Sequence, residues 1–257
     1  MVTILVCLKP VRESCLSNGQ GAMNEIRMNP YDIPALMNVL KLKKEIPNCH
    51  VVCVSMGVEG TKTILNRCAA LGADQTILLN DSKFAGSDTY ATSYILSEVI
   101  KKVGKVDIVV CGAKSLDGET GQVPIELATR LKMIYLPHIE QMVSVNSDYA
   151  IVQALHDDIL EKSRVRLPFV AVFDGFELAE PSCSLTLLKR ARQNQPIQWN
   201  SEDLDIDELE IGQVGSKTKV VSVINTKRNN KAHYVQGSVE EKCMYLHSIL
   251  TNNSGCI

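Results

Sequence analysis

The chain has 257 residues with a net charge of −2 and both signs mixed along its length, which excludes a basic field of the kind that nucleic acid needs. It is long enough for one large domain or a domain with an appended arm. No apolar run approaches the length of a membrane span and the start lacks a secretory pattern, so the expectation is a cytoplasmic chain without a membrane span. Nine cysteines, an odd number with no Cys-x-x-Cys pair, fit reduced thiols better than a disulfide framework. Cys7, Cys53 and Cys111 fall inside apolar runs, where a thiol behaves as a small hydrophobe.

In chain order, residues 3–8 read as a strand, and 9–28 as a long loop with Gly19 and Gly21. A helix follows, with Asp32 at its N-cap, Pro34 in its first turn and Ile33, Leu36, Met37 and Leu40 on its apolar face. Residues 51–56 are a second strand, 61–71 a helix ending at Gly72, and 76–79 a third strand. Asp88 caps a helix through Val103, Gly104 stops it, and 106–111 form a fourth strand, apolar without alternation as parallel sheets allow. A small-residue loop follows Gly112, and a helix opens near Thr120 with Val123, Leu127 and Leu131 on one face. This alternation implies a parallel sheet covered by helices on both faces. Beyond Pro137, residues 138–145, 149–156, 159–165 and 169–173 read as short strands, implying antiparallel hairpins added to the sheet. A short basic helix begins near Leu185. Residues 201–210 are acidic and read as an extended linker, and 238–250 form a last helix with Val239, Cys243, Leu246 and Leu250 in helical spacing. The expected division is 1–198 for a nucleotide-binding α/β domain and 199–257 for an arm too poor in apolar residues to fold alone.

Neither the Gly-x-Gly-x-x-Gly fingerprint nor a Walker loop is present, so any nucleotide must sit by another arrangement at the carboxyl ends of the strands. A strand, a small-residue loop and a helix start, as in residues 107–126, gather free amides and the helix dipole at one spot, which suits an anion. Gly118 and Gly121 let a backbone approach a ligand closely. Thr89 and Thr92, beside the Asp88 cap, can offer hydroxyls and amides to a diphosphate. His50, His138 and His156 lie in strand patterns and are read as structural, and no serine sits in a nucleophile elbow.

Asp117-Gly118-Glu119-Thr120-Gly121-Gln122-Val123 closely resembles the nucleotide loop of electron-transfer flavoprotein beta subunits. Ile4 to Val11, Met28-Asn29-Pro30-Tyr31-Asp32, Val54 to Gly57, Ala70 to Asp74, Gly86 to Ser93 and Leu167-Pro168 match further family segments in register over roughly the first 195 residues. The resemblance implies an adenine-nucleotide-hydrolase-like α/β domain, heterodimeric with an alpha subunit on which the C-terminal arm docks. It implies that Cys7, Asn29, Pro30, Tyr31, Asp32, Met56 and the loop with Gly112, Lys114, Asp117, Gly118, Thr120, Gly121, Gln122 and Val123 line the nucleotide pocket. Asp88, Thr89 and Thr92 would serve the diphosphate. The Asp-Thr-x-Ala-Thr-Ser and Asp-Gly-Glu-Thr-Gly-Gln-Val segments resemble anaerobic, bifurcating members, which hold FAD there, take electrons from NADH, and pass them to a dehydrogenase and a low-potential acceptor such as ferredoxin. Conventional members hold AMP instead and only shuttle electrons; a non-redox nucleotide-binding protein of the same superfold is a third reading. Two departures stand out: Val123 runs directly into Pro124, and Ala113-Lys114-Ser115 replaces the more usual Arg-Gln-Ala, adding an ammonium. Residues 180–192 correspond to the family's loop for acyl-CoA dehydrogenase-type partners, with Leu185 as apolar anchor and Lys189, Arg190 and Arg192 as steering charges.

Overall fold

Unbroken apolar runs build the centre of the sheet, because strands covered on both faces need no polar side. The computed structural model describes residues 1–12, 25–222 and 234–252. The first half comprises β1 (Val2–Leu8), the short antiparallel pair β2 (Pro10–Arg12) and β3 (Ile26–Met28), α1 (Asp32–Glu45), β4 (Cys49–Met56), α2 (Lys62–Leu71), β5 (Gln75–Leu79), α3 (Thr89–Val103) and β6 (Ile108–Gly112). Gly19 and Gly21 lie outside the described residues. The second half comprises α4 (Val123–Leu131), β7 (Ile134–Val145), β8 (Tyr149–His156), β9 (Ile159–Arg166), β10 (Phe169–Phe173), α5 (Leu185–Gln193), β11 (Ile197–Trp199), the single turn α6 (Gly212–Gly215) and α7 (Val239–Asn252). Nine strands form one sheet in the order β11-β5-β4-β1-β6-β10-β7-β8-β9. All neighbours from β11 to β7 are parallel, and β7, β8 and β9 continue antiparallel.

Strand pleating divides the core in two. Ile4, Val6, Val51 and Cys53 face α1 and α2, packing with Leu36, Val39, Leu65 and Cys68. Leu5, Val52, Val54 and Val109 face α3 and α4, packing with Ile95, Val99 and Leu127. The chain leaves β1 toward β4 and β5, then crosses back to place β6 on the other side of β1. The β1/β6 junction is therefore a topological switch point, the place at the carboxyl ends of the strands where α/β sheets generally bind ligands.

Four sequence expectations change. β10 is not part of the antiparallel addition: it lies between β6 and β7 and parallel to both. Its five residues are all buried, including Phe169 and Phe173, and a two-sided apolar strand belongs at a sheet centre. Residues 201–210 are not an extended linker. They form two 3-10 turns, Ser201–Asp203 and Glu208–Glu210, capped by the side chains of Asn200 and Asp207, while Leu204 and Ile211 bury in the α3–α4 face. The helix expected near Thr120 starts at Val123. Asp32 is the first residue of α1 rather than its cap, and its carboxylate is used elsewhere.

By contacts the chain forms two compact units, Met1–Lys219 and Val220–Ile257. The second unit contains α7, whose start is closed by a capping pair: the Ser238 amide donates to Glu241 Oε2 at 2.7 Å, and the Glu241 amide to Ser238 Oγ at 3.2 Å.

Candidate functional site

Three chain segments meet at the switch point through the Asn29–Asp32 turn. The Lys9 amide, just past β1, donates to Asp32 Oδ2 at 2.7 Å. Asn29 Nδ2 donates to Asp32 Oδ1 at 3.0 Å and to the Lys114 carbonyl at 2.9 Å, while Asn29 Oδ1 accepts from the Leu116 amide at 3.1 Å. Asn29 thus reads the loop after β6 with both ends of its amide. Gly112 is required here because an ideal Cβ on it would sit 2.4 Å from Asp32 Oδ1 and 2.7 Å from the Tyr31 carbonyl. Burial pushes the Asp32 carboxyl up to about 7, against the Lys9 amide, the Asn29 side chain and the Gly112 amide, which pull it down.

The loop after Gly112 folds around Ser115. Its Oγ accepts from Lys9 Nζ at 3.2 Å and from the Gly118 amide at 3.3 Å, and its carbonyl accepts from the Glu119 amide at 2.8 Å. Lys9 also pairs with Asp117 at 2.7 Å. Partial burial works to raise the Asp117 carboxyl, but Lys9 and Ser115 outweigh it and hold it below the usual carboxylate range. Glu119 and Gly121 take positive φ, 53° and 64°, which turns the chain into α4. Gln122 occupies the N-cap position without a side-chain hydrogen bond to the helix, so no cap side chain occupies the first-turn amides. Among the described residues Lys114 pairs with no carboxylate, and its ammonium lies 5.5 Å from the Tyr31 ring centroid. Cys7 and Cys111 end neighbouring strands; hydrogen bonding between the two thiols and complete burial push the Cys111 thiol well up.

The start of α3 abuts the start of α4. Thr89 Oγ1 is 3.1 Å from both Gln122 Oε1 and Glu126 Oε1, and the buried Glu126 Oε2 has no hydrogen-bond partner. Asp88 caps α3 through the Ala91 amide at 3.0 Å, as its position implied. Its other oxygen accepts from the amides of Lys217 and Thr218 at 2.7 and 2.8 Å. Partial burial opposes these bonds, yet they hold the Asp88 carboxyl below its ordinary range. Arg130 reaches back to Ser93 Oγ at 3.0 Å and lies 4.3 Å from the Tyr90 ring centroid, with Lys217 4.6 Å from the same ring. Residues 112–123 therefore join two clusters, one around Asn29 and Asp32 and one around Thr89. Met56 packs half-buried against the α3–α4 face, and among the described residues Thr92 enters this network through its helical amide on the Asp88 carbonyl.

The electron transfer flavoprotein domain model matches residues 22–201, which takes in every strand of the large sheet but β1 and both clusters apart from Lys9, Lys217 and Thr218. The chain is 36% identical over 227 residues to the Caffeyl-CoA reductase-Etf complex subunit CarD of Acetobacterium woodii, covering 84% of this chain and 85% of that one. It is 31% identical to an electron transfer flavoprotein subunit beta of Clostridium acetobutylicum, covering 97% and 98%. Protein FixA of Azotobacter vinelandii is 32% identical, covering 88% and 85%. This chain is an electron transfer flavoprotein beta-type subunit.

Within this flavoprotein subunit the expected docking residues occupy an outward segment. Leu185, at the start of α5, is 83% exposed, and Lys189, Arg190 and Arg192 are exposed along the same helix, while Ala191 alone is buried from it. Lys9, Glu126, Arg130 and Lys217 join the site without having been singled out in the sequence. Lys9 alone carried a signal, since it follows β1 directly at the switch point. The other three are placed by contacts distant in sequence. His138 pairs with Asp174 at 2.5 Å and stacks edge-on with His156 at 5.4 Å, a cross-strand arrangement at the β7–β10 irregularity. Among the described residues no group of side chains is arranged to hold a metal, and no helix is long and apolar enough to cross a membrane.

Proposed function

We propose that this chain is the beta subunit of a heterodimeric electron-transfer flavoprotein of the bifurcating type, holding FAD at the β1/β6 switch point. The observation that carries the reading is the donor set gathered there. The start of α4 leaves the Val123 and Ile125 amides without a side-chain cap (Pro124 has none to offer), and the ammonium of Lys114 adds positive charge on the loop leading into it, as an anion requires. That set fits an adenine nucleotide bound through its phosphates, with Asn29 and Asp32 fixing the loop that carries it. When bound, a flavin would supply the redox chemistry, accepting electrons from NADH and passing them on toward a dehydrogenase and a low-potential acceptor such as ferredoxin. The protein's part is position and field: Lys9 and Asp117 brace the loop, Gly121 permits close approach, and Lys114 favours a negatively charged ligand. Asp88 acts by ordering the start of α3 rather than by offering its carboxylate, which four hydrogen bonds already occupy.

Support for a multi-subunit complex comes from the relatives named as subunits, CarD and the Clostridium beta subunit. The segment Val220–Ile257, with its amphipathic α7, is the arm offered to an alpha subunit. Purified alpha–beta complex is expected to contain two flavins per heterodimer. Gly121→Val is expected to lose one of them selectively, since Gly121 has φ 64° and its Cβ would face the Ala113 carbonyl at 3.2 Å. One FAD and one AMP would instead identify a conventional shuttle; no nucleotide in the beta subunit would overturn the site.

Leu185 is the docking anchor of this reading, toward an acyl-CoA dehydrogenase-type or related flavin partner. Burying one leucine in a partner pocket supplies about 1.5–3 kcal/mol, so Leu185→Ala is expected to weaken docking roughly tenfold to a hundredfold with flavin content unchanged. Lys189, Arg190 and Arg192 act on encounter, and their effect should fade with added salt. Titrating the dehydrogenase against wild type and variant measures this, and equal half-saturation would remove Leu185 from the interface.

A further inference from the structure

The Asn29–Asp32 turn has a second face. The Met28 amide donates to Glu180 Oε1 at 2.9 Å, and Glu180 Oε2 pairs with Arg67 at 3.1 Å. Arg67 also donates to the Pro181 carbonyl at 3.3 Å, and the Glu177 amide donates to the Pro30 carbonyl at 3.1 Å. The rings of Tyr31 and Phe176 meet edge-on with centroids 5.1 Å apart, and a Cβ on Gly175 would sit 2.9 Å from Pro34 Cβ. The Glu180 side chain is only 9% exposed, so a charge has been taken out of water and both its oxygens are used. Residues 175–181 are thereby bolted to the backbone of 28–31 and to α2. The side chains of the same turn, Asn29 and Asp32, hold the nucleotide loop. One short turn thus serves both the candidate nucleotide loop and the segment leading into Leu185.

We infer that Glu180 is a positioning residue for partner docking: with Arg67 it ties the 175–184 segment to the 28–32 turn, so that a nucleotide at the β1/β6 switch point orders the docking segment. The inference rests on the nucleotide and docking readings given above and adds the link between them. A packed chain of hydrogen bonds and an ion pair is the kind of contiguous connection that carries such coupling. The coupling is reciprocal: a partner that fixes the docking segment tightens nucleotide binding by the same factor.

Hydrogen exchange on the full chain, with FAD or AMP added as the probe, tests this. Protection of amides 113–122 reports the nucleotide, and that of amides 178–184 reports the docking segment. In wild type, saturating nucleotide is expected to slow exchange at 178–184 about fivefold or more, within the usual range of coupling between sites. Glu180→Ala is expected to keep protection at 113–122 and lose the slowing at 178–184. Arg67→Met should do the same while leaving Glu180 in place, and it carries the assignment if Glu180→Ala does not fold. Glu180→Gln, which keeps an acceptor for the Met28 amide, should retain part of the effect. Protection at 113–122 with wild-type exchange at 178–184 unmoved would overturn the coupling and leave the nucleotide site standing. Absence of protection at 113–122 with either nucleotide would sink the nucleotide reading, and this inference with it.

Discussion

Replacing Gly112 with alanine is expected to unseat the loop after β6 and empty the proposed nucleotide site, whereas the same change at Gly118 leaves both intact. The added Cβ at 112 would lie 2.4 Å from Asp32 Oδ1 and 2.7 Å from the carbonyl carbon and oxygen of Tyr31. Two of those atoms are backbone, and Asp32 is held by Lys9 and Asn29, so nothing nearby can yield cheaply. Overpacking of this kind costs about 3 kcal/mol, near the upper end for inserted methyl groups. For a chain of this size that lowers the melting temperature by roughly 6–12 °C. At Gly118 the nearest atoms are Ser115 Oγ at 3.2 Å and Lys9 Nζ at 3.7 Å, both on movable side chains. Gly118→Ala should therefore stay within about 0.5 kcal/mol of wild type. Thermal melts and bound-nucleotide content of the two variants decide the matter; equal behaviour would mean that the close approach at 112 is not what holds the loop.

The contrast between these two glycines shows what a sequence can and cannot display. Both sit in the stretch that stood out on its residues, Gly118 as a site of close ligand approach and Gly112 as the end of the strand before the loop. Only three-dimensional neighbours, Tyr31 and Asp32, distinguish them, and these lie far away along the chain. Strand and helix alternation from β1 to β6 was legible because apolar runs and helical periodicity are local. So was the Asp88 cap, a signal confined to four residues. Asp32 misled for the same local reason: an acid at a helix start has the look of a cap, yet its carboxylate turns back to the Lys9 amide. β10 was read with its sequence neighbours, the hairpins, although its five apolar residues already argued for two-sided burial. The acidic stretch after β11 lacked enough apolar residues for a core of its own, but Leu204 and Ile211 suffice to pin it to a core built by others.

Asp32 should make the folded chain respond to pH in a direction opposite to its other structured carboxylates. Its pKa is raised by burial from 3.8 to about 7, so the folded state binds this proton more tightly than the unfolded chain does. The favourable contribution is therefore complete below about pH 4, declines as pH rises toward 7, and is gone above it. The difference of 7 − 3.8, about 3.2 units, corresponds to roughly 4 kcal/mol across that window. Asp74, Asp81, Asp88 and Asp117 are lowered instead, and their contributions vanish as pH falls, so the wild-type curve alone mixes the two signs. Subtracting the curve of Asp32→Asn from that of wild type cancels the shared carboxylates, because asparagine does not titrate. Urea unfolding at half-unit steps from pH 4 to 8 is expected to show wild-type stability falling relative to Asp32→Asn by a few kcal/mol, with the slope ending near pH 7. A flat difference would mean that the Lys9 amide, the Asn29 side chain and the Gly112 amide together offset the cost of burial, leaving Asp32 ionised throughout. A difference that instead rises with pH would make those three donors stronger than burial. Either result would recast Asp32 as a fixed anion behind the proposed nucleotide loop.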